Sequence, residues 1–214
     1  MSLSEKAERI YSRHEHGVDA AIHVLGMIFA VNASAWLLLH MGVSAQAGVT
    51  VYCLGLLAMI FASAIYNLAP NDARAKQILR RIDHSAIFIM IAATYTPFAA
   101  ERLAAPYGTV ILVAIWVCAS LGVALKVVFP RRFENLSIGL YIAMGWMILA
   151  VIRPLAASMA AVDFWLLMAG GAIYSAGIAF YVIERIPFHK AIWHGFVLAA
   201  AVTHFTAVAL EFSI

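Results

Sequence analysis

Charge is what this sequence has least of. Of its 214 residues only 12% are charged while 64% belong to the hydrophobic set, and the mean hydropathy is +0.92. A water-soluble domain carries about 25% charged residues, so an ordinary soluble enzyme is excluded and the surplus apolar surface has to face lipid. Cysteine is nearly absent as well. Cys53 and Cys118 both lie inside apolar runs, which removes a disulfide framework or a cysteine metal pair and makes small core hydrophobes of both. A cleavable signal peptide is not expected. The first nineteen residues carry seven charges, and the apolar run after them is longer than a signal h-region. The connections between apolar runs are too short for a soluble domain. A transporter would be expected to show broken helices or midplane charges, and neither is legible. The net charge of +3 and the pI near 9.0 fit charge sorted across a bilayer better than nucleic-acid binding.

What is present is a series of apolar runs. Crossing a hydrocarbon core of ~30 Å takes about 20 apolar residues, and seven such spans can be marked: 20–40, 47–69, 83–103, 107–128, 135–153, 164–184 and 189–211. The expected fold is therefore all-α, a bundle of seven transmembrane helices. Pro70, Pro106, Pro130, Pro154 and Pro187 fall between the spans, where a missing N–H costs little, and Pro97 alone is interior, where it should kink the third helix.

The basic residues orient the bundle. Lys6, Arg9 and Arg13 precede span one; Arg74, Lys76, Arg80 and Arg81 separate spans two and three. Lys126, Arg131 and Arg132 follow span four, and Arg185 and Lys190 separate spans six and seven. In a seven-span chain these twelve share one side, against Arg102 and Arg153 on the other. The positive-inside rule then places the N-terminus in the cytoplasm and the C-terminus outside, which opposes a G-protein-coupled receptor. Residues 1–19 read as a cytoplasmic segment, with Ser2 and Glu5 spaced for a capping box and Ala7, Ile10 and Tyr11 on one apolar side, as in a helix lying at the membrane surface. Residues 20–214 form the membrane domain. Gly171, Ser175 and Ala179 recur every four residues in span six, a spacing that permits close helix contact.

A polar side chain inside a span needs a partner or a cavity, and four spans bring such groups to one depth of the inner leaflet. Span two ends in ASAIYNLAP, with Ser63 and Asn67 on one face. Span three begins with Asp83, His84 and Ser85. Span seven begins with PFHKAIWHGFVL, where Lys190 and His194 share a face, and span one offers His23. Each has a structural reading. Asp83 beside Arg80 and Arg81 fits an interfacial ion pair, His23 and His84 fit hydrogen-bonded interface histidines, and Ser63 could bond its own backbone. The sharper alternative is zinc, which takes imidazole nitrogen and carboxylate oxygen and wants about three protein ligands. His194 and Asp83 are the best candidates, with His84, His189 and His23 in reserve. Asn67 is a poor zinc ligand, and Lys190 is ordinarily protonated. His204, ten residues beyond His194 and so ~15 Å deeper, belongs to another environment.

Four segments are more specific than this pattern: SAIYN with its following proline (63–70), DHSAIFIMIAATYTPF (83–98), YIAMGW (141–146) and RIPFHKAIWHGFVLAAAVTHF (185–205). In order and spacing they resemble the hemolysin III family, the bacterial branch of the progestin and adipoQ receptor superfamily. The resemblance implies seven helices and a zinc ion near the cytoplasmic face. Three histidines would hold the ion, one closing an S-x-x-x-H motif in span two and two from an H-x-x-x-H motif in span seven, with an aspartate of span three beside it. Ser63, Asp83 and His194 match. Asn67 and Lys190 stand where the other two histidines are expected, and His189 is one position off. The site implied by the resemblance is thus degenerate, with zinc weak or absent and Lys190 placed to form a salt bridge with Asp83.

Three functional readings follow. The first is a membrane protein of the plasma (inner) membrane that senses or maintains membrane state, with lipids as partners and no nucleic acid. The second, implied by resemblance to the superfamily, is a ceramidase-like lipid amide hydrolase in which Asp83 and Ser63 are catalytic and zinc activates water. The third is a transporter, a channel or a retinal protein using Lys190; Lys190 sits too near the start of span seven for a retinal lysine. The missing zinc ligands favour the first. The orientation is tested directly with a reporter active only outside the cytoplasm. Fused after Ile214 it should be active, and fused after Arg132 silent; the opposite pattern would invert the topology.

Overall fold

A computed structural model describes residues 12–70, 73–129 and 132–214. The surface helix expected from Ser2 and Glu5 lies outside these described residues. Helix α1 spans Arg13–His40, and a 3-10 turn over Val43–Ala45 leads into α2, Gln46–Leu68. Then come α3 (Ala73–Glu101), α4 (Tyr107–Val128), α5 (Glu134–Gly145), a 3-10 stretch over Met147–Val151, α6 (Ile152–Ser158), α7 (Ala161–Val182) and α8 (His189–Phe212). Among the described residues there is no strand, and the one isolated bridge joins Met41 to Ser213.

Six helical rods are long and apolar enough to cross a membrane: α1, Val43–Leu68, α4, Glu134–Ser158, α7 and α8. The chain is a multi-pass membrane protein. Helix α3, at 29 residues, matches them in length, but Asp83, His84 and Ser85 at one end of its apolar stretch and Thr94, Tyr95, Thr96 and Pro97 further along dilute that stretch. Pro97 is interior to α3, as the sequence indicates.

Neighbouring helices pack in chain order, α1 on α2, α2 on α3 and α3 on α4, while α8 lies between α7 and α1. Small residues set the closest approaches. A Cβ on Gly55 of α2 would sit 2.5 Å from that of Ala93 on α3. On α7 the close contacts fall at Gly170, against the ring of His204, and at Gly177, against Phe196. The Gly171–Ser175 repeat therefore does not form the packing seam suggested by its spacing. Gly171 has nothing within van der Waals reach of an added Cβ, and both residues line a cavity of about 130 Å³ between α3, α5, α7 and α8.

The fifth span departs from the sequence reading. It is broken between α5 and α6, where a continuous helix over 135–153 is expected, and Pro154 lies inside α6 rather than in a connection. In lipid a break needs internal partners for the backbone groups it frees, and Tyr95 of α3 supplies them. Its hydroxyl lies 2.8 Å from the carbonyl of Met144 and 2.9 Å from that of Gly145, as donor, and accepts from the Ile148 N–H at 2.8 Å. One phenol thus serves three backbone groups. Tyr95→Phe should lower stability in detergent by about 1–3 kcal/mol, the cost of buried groups left unpaired. Thr94 bonds only its own helix, at the Met90 carbonyl, so Thr94→Val should change the melting temperature much less. Equal shifts for the two would show that Tyr95 does not hold the break.

Candidate metal centre

Helix α1 starts on a capping box. The Ser12 hydroxyl accepts from the Glu15 N–H at 3.1 Å, and the Glu15 carboxylate accepts from the Ser12 N–H at 2.8 Å. From there the buried face of α1 runs Glu15, Asp19, His23, Gly26, Ala30, Ala33 and Leu37. It is polar for two turns and small or apolar beyond, a pattern that places Asp19 and His23, four residues apart, on one face near the start of the helix. Helix α8 begins beside it. Phe188, in the left-handed region at φ 58°, turns the chain into α8, and its N–H donates to the Glu15 carboxylate at 2.9 Å.

That pairing puts His194 opposite Asp19. Nδ1 of His194 is 2.6 Å from one Asp19 oxygen, and Nε2 of His23 is 3.7 Å from the other. The two imidazoles lie 4.4 Å apart, centre to centre. All three side chains are nearly buried, at 12% exposure for Asp19, 5% for His23 and 11% for His194. Their coordinating atoms all fall within 4.8 Å of one another.

Beside this triad stands a second group. Asp83 of α3 is buried and faces His23, Arg80 and the Ser63 hydroxyl, which is within hydrogen-bonding reach. The Asn67 amide donates back to the Ser63 carbonyl at 3.0 Å and lies 3.4 Å from its hydroxyl. The structure therefore gathers Ser63, Asn67, Asp83, His23 and His194 of the residues singled out in the sequence. Lys190, one turn before His194 on α8, is not among the groups that face Asp83. It is close enough to Lys76 that its charge, second to burial, pushes the Lys76 ammonium below its usual range, and Lys76 donates to the Tyr66 carbonyl at 2.6 Å. No ion pair joins Asp83 to Lys190 among the described residues. His84 turns away, 3.8 Å from Glu134, which also holds Arg80 at 2.8 Å and Lys126 at 2.9 Å. His189 is buried in the first turn of α8, and His204 bonds the Leu167 carbonyl in the deeper environment that its spacing indicates.

Asp19 is the residue that sequence reasoning missed. Its signal is the D-x-x-x-H spacing of Asp19 and His23, an i,i+4 pair obscured by starting the first span at residue 20; α1 begins at Arg13 instead. The triad fits zinc in its chemistry, with two imidazoles and one carboxylate. Ligands 2.0–2.2 Å from a tetrahedral ion stand about 3.3 Å apart, so an ion bound here would replace the 2.6 Å hydrogen bond between Asp19 and His194.

The family model described as "Haemolysin-III related" matches residues 11–205. The chain belongs to this family. It is 36% identical over 206 residues to the "Hemolysin-3 homolog" of Bacillus subtilis (strain 168), covering 94% of this chain and 92% of that protein. It is 36% identical over 212 residues to "Hemolysin-3" of Bacillus cereus, covering 96% of each. The human "Monocyte to macrophage differentiation factor" is 26% identical over 205 residues, covering 91% of this chain and 83% of the human one. Within the matched region, Asn67 and Lys190 occupy the positions where the hemolysin III resemblance implies histidine, while Asp19 and His23 supply donors from α1. Because Asp83 and Lys190 are not paired, the melting shifts of Asp83→Ala and Lys190→Ala should add in the double mutant within about 0.5 kcal/mol. Asp19→Ala and His194→Ala, whose side chains touch, should be clearly non-additive. Coupling in the first pair would restore the salt bridge.

Proposed function

We propose that this hemolysin III protein spans the plasma membrane seven times, N-terminus inside, and holds one divalent transition metal, zinc foremost, at the inner end of α1 and α8. The observation that carries the metal reading is the convergence of Asp19, His23 and His194, with coordinating atoms within 4.8 Å. Helix α3 makes the seventh crossing. It has the length, it packs between α2 and α4, and an odd count puts the twelve basic residues on one side. The metal centre ties the first and last crossings together, a link suited to a protein that senses or maintains the state of the surrounding lipid, which is its expected partner.

A second reading has one specific observation in its favour, the placement of Asp83 and Ser63 beside His23. A zinc ion bound at the triad would supply Lewis-acid polarisation of a carbonyl and activation of water. Asp83 could then take a proton, and the Ser63 hydroxyl could donate to a developing oxyanion of a lipid amide. Loss of amide cleavage in Asp83→Asn with zinc retained would support this hydrolase reading over a purely structural metal.

Metal content is the deciding measurement. The purified protein should hold close to one zinc per chain, and Asp19→Ala or His194→Ala should each lose most of it. Binding stabilises the folded state by RT ln(1 + [L]/Kd), about 2.7 kcal/mol at a hundredfold excess over Kd. Added zinc should therefore raise the melting temperature of the parent chain and not of the two variants. A parent chain that takes up no zinc, or variants that hold as much, would sink the metal reading.

A further inference from the structure

We infer that Glu15 is a positioning residue for this centre: by bonding the N–H of Phe188 it sets the register of α1 against α8, so that Asp19, His23 and His194 meet. The inference rests on the metal reading above. A glutamate at the third position of a helix commonly closes a capping box while facing solvent. Glu15 does more. It is buried, at 8% exposure, and while one carboxylate oxygen accepts from Ser12 at 2.8 Å, the other crosses to Phe188, 173 residues away in sequence, at 2.9 Å. Phe188 is itself a non-glycine residue in the left-handed region. Such a conformation persists where its surroundings over-determine it, and the Glu15 bond is one of those constraints.

The helix geometry explains why one bond matters so much. Asp19 is one helical turn beyond Glu15 and His23 two turns, while His194 is six residues, ~9 Å, past Phe188. A slip of one residue between the helices would shift each ligand by 1.5 Å along the axis and ~100° around it, and the triad would not close. The main-chain tie between α1 and α8 is remote. There the Gly42 N–H donates to the Phe212 carbonyl at 3.0 Å and the Ile214 N–H to the His40 carbonyl at 2.8 Å, roughly 35 Å along α1 from Glu15 at 1.5 Å per residue. Between the two ends the helices meet through side chains such as Phe29 and Trp36 against Phe205, and none of these contacts is a hydrogen bond that fixes the register at the ligands. The bond from Phe188 to buried Glu15 supplies that fixed point beside them.

The test measures zinc affinity of the full-length protein in detergent, by competition with a chelator, alongside melting of the metal-free form. Glu15→Ala should weaken zinc about 10- to 100-fold, as losses of supporting contacts around metal ligands do. Glu15→Gln, whose single amide oxygen can accept from Phe188 but not also from Ser12, gives up the capping bond and keeps the one to α8, so it should bind zinc more tightly than Glu15→Ala. Glu15→Asp, which keeps the charge and shortens the reach, should bind zinc weakly; it carries the test alone if Glu15→Ala does not fold. Unchanged affinity in Glu15→Asp, or a Gln variant as weak as Ala, would overturn the assignment, and so would a lower metal-free melting temperature with zinc affinity intact. A parent chain without zinc affinity would instead overturn the metal centre itself, and this inference with it.

Discussion

In a bilayer a polar group must find its partner inside the protein, and most of this structure follows from that constraint. Side chains without a distant partner turn back on their own helix: Thr50, Thr94, Ser120, Thr203 and Thr206 each donate to the carbonyl four residues earlier. Where the backbone is interrupted, Tyr95 reaches across from α3 to serve the break between α5 and α6. Charges that cannot turn back are gathered into groups. Glu134 collects Arg80 and Lys126 at one end of the bundle, Glu211 meets Arg102 at the opposite end, and Asp19 collects two histidines. The polar sites of the molecule are the places where this requirement is met by several helices at once.

Helices α1 and α8 show how far apart in sequence such partners can lie. They run parallel and are joined at both ends, by Glu15 and Phe188 at one and by main-chain bonds between His40, Gly42, Phe212 and Ile214 at the other. Between these ties Phe29 and Trp36 of α1 meet Phe205 of α8 edge-on, at 5.5 and 6.4 Å between ring centres, so aromatic packing fills the middle of the seam. The ligand triad occupies the two turns where this seam becomes polar.

Much of the fold is legible in the sequence because composition decides it. Apolar runs of about 20 residues separated by basic clusters give the helices and their order directly. The broken fifth span is not legible. Its signal is distributed between Gly145 and Trp146 on one segment and a tyrosine some fifty residues earlier, and no local pattern links them. The packing seam of α7 is misread for a related reason. Gly171 and Ser175 have the right spacing, but Gly170 and Gly177 meet α8, and only the rotation of the helix decides between two such sets of small residues. In the candidate site, His194, Asp83 and Ser63 are legible as polar groups at a shared depth. Asp19 is hidden because hydropathy places it outside the first span, although the helix runs through it without interruption.

The relation between Asn67, Lys190 and Asp19 gives the site its logic. Replacing two expected histidines with an amide and an ammonium removes donors from α2 and α8, and the ammonium adds a positive charge on the face that carries His194. Taken over those positions alone, the set is too small to hold zinc. Asp19 and His23 change the balance. They place two further potential donors beside His194, and the carboxylate would partly offset the cation of a bound metal, as a third histidine would not. A site of this kind would rest on α1, a helix whose first turns are tied across to α8 by the Glu15–Phe188 and Asp19–His194 bonds. A centre built this way depends on the docking of the first helix, whereas one built on α2 depends on the α2–α3 contact, where Gly55 and Ala93 already fix the spacing.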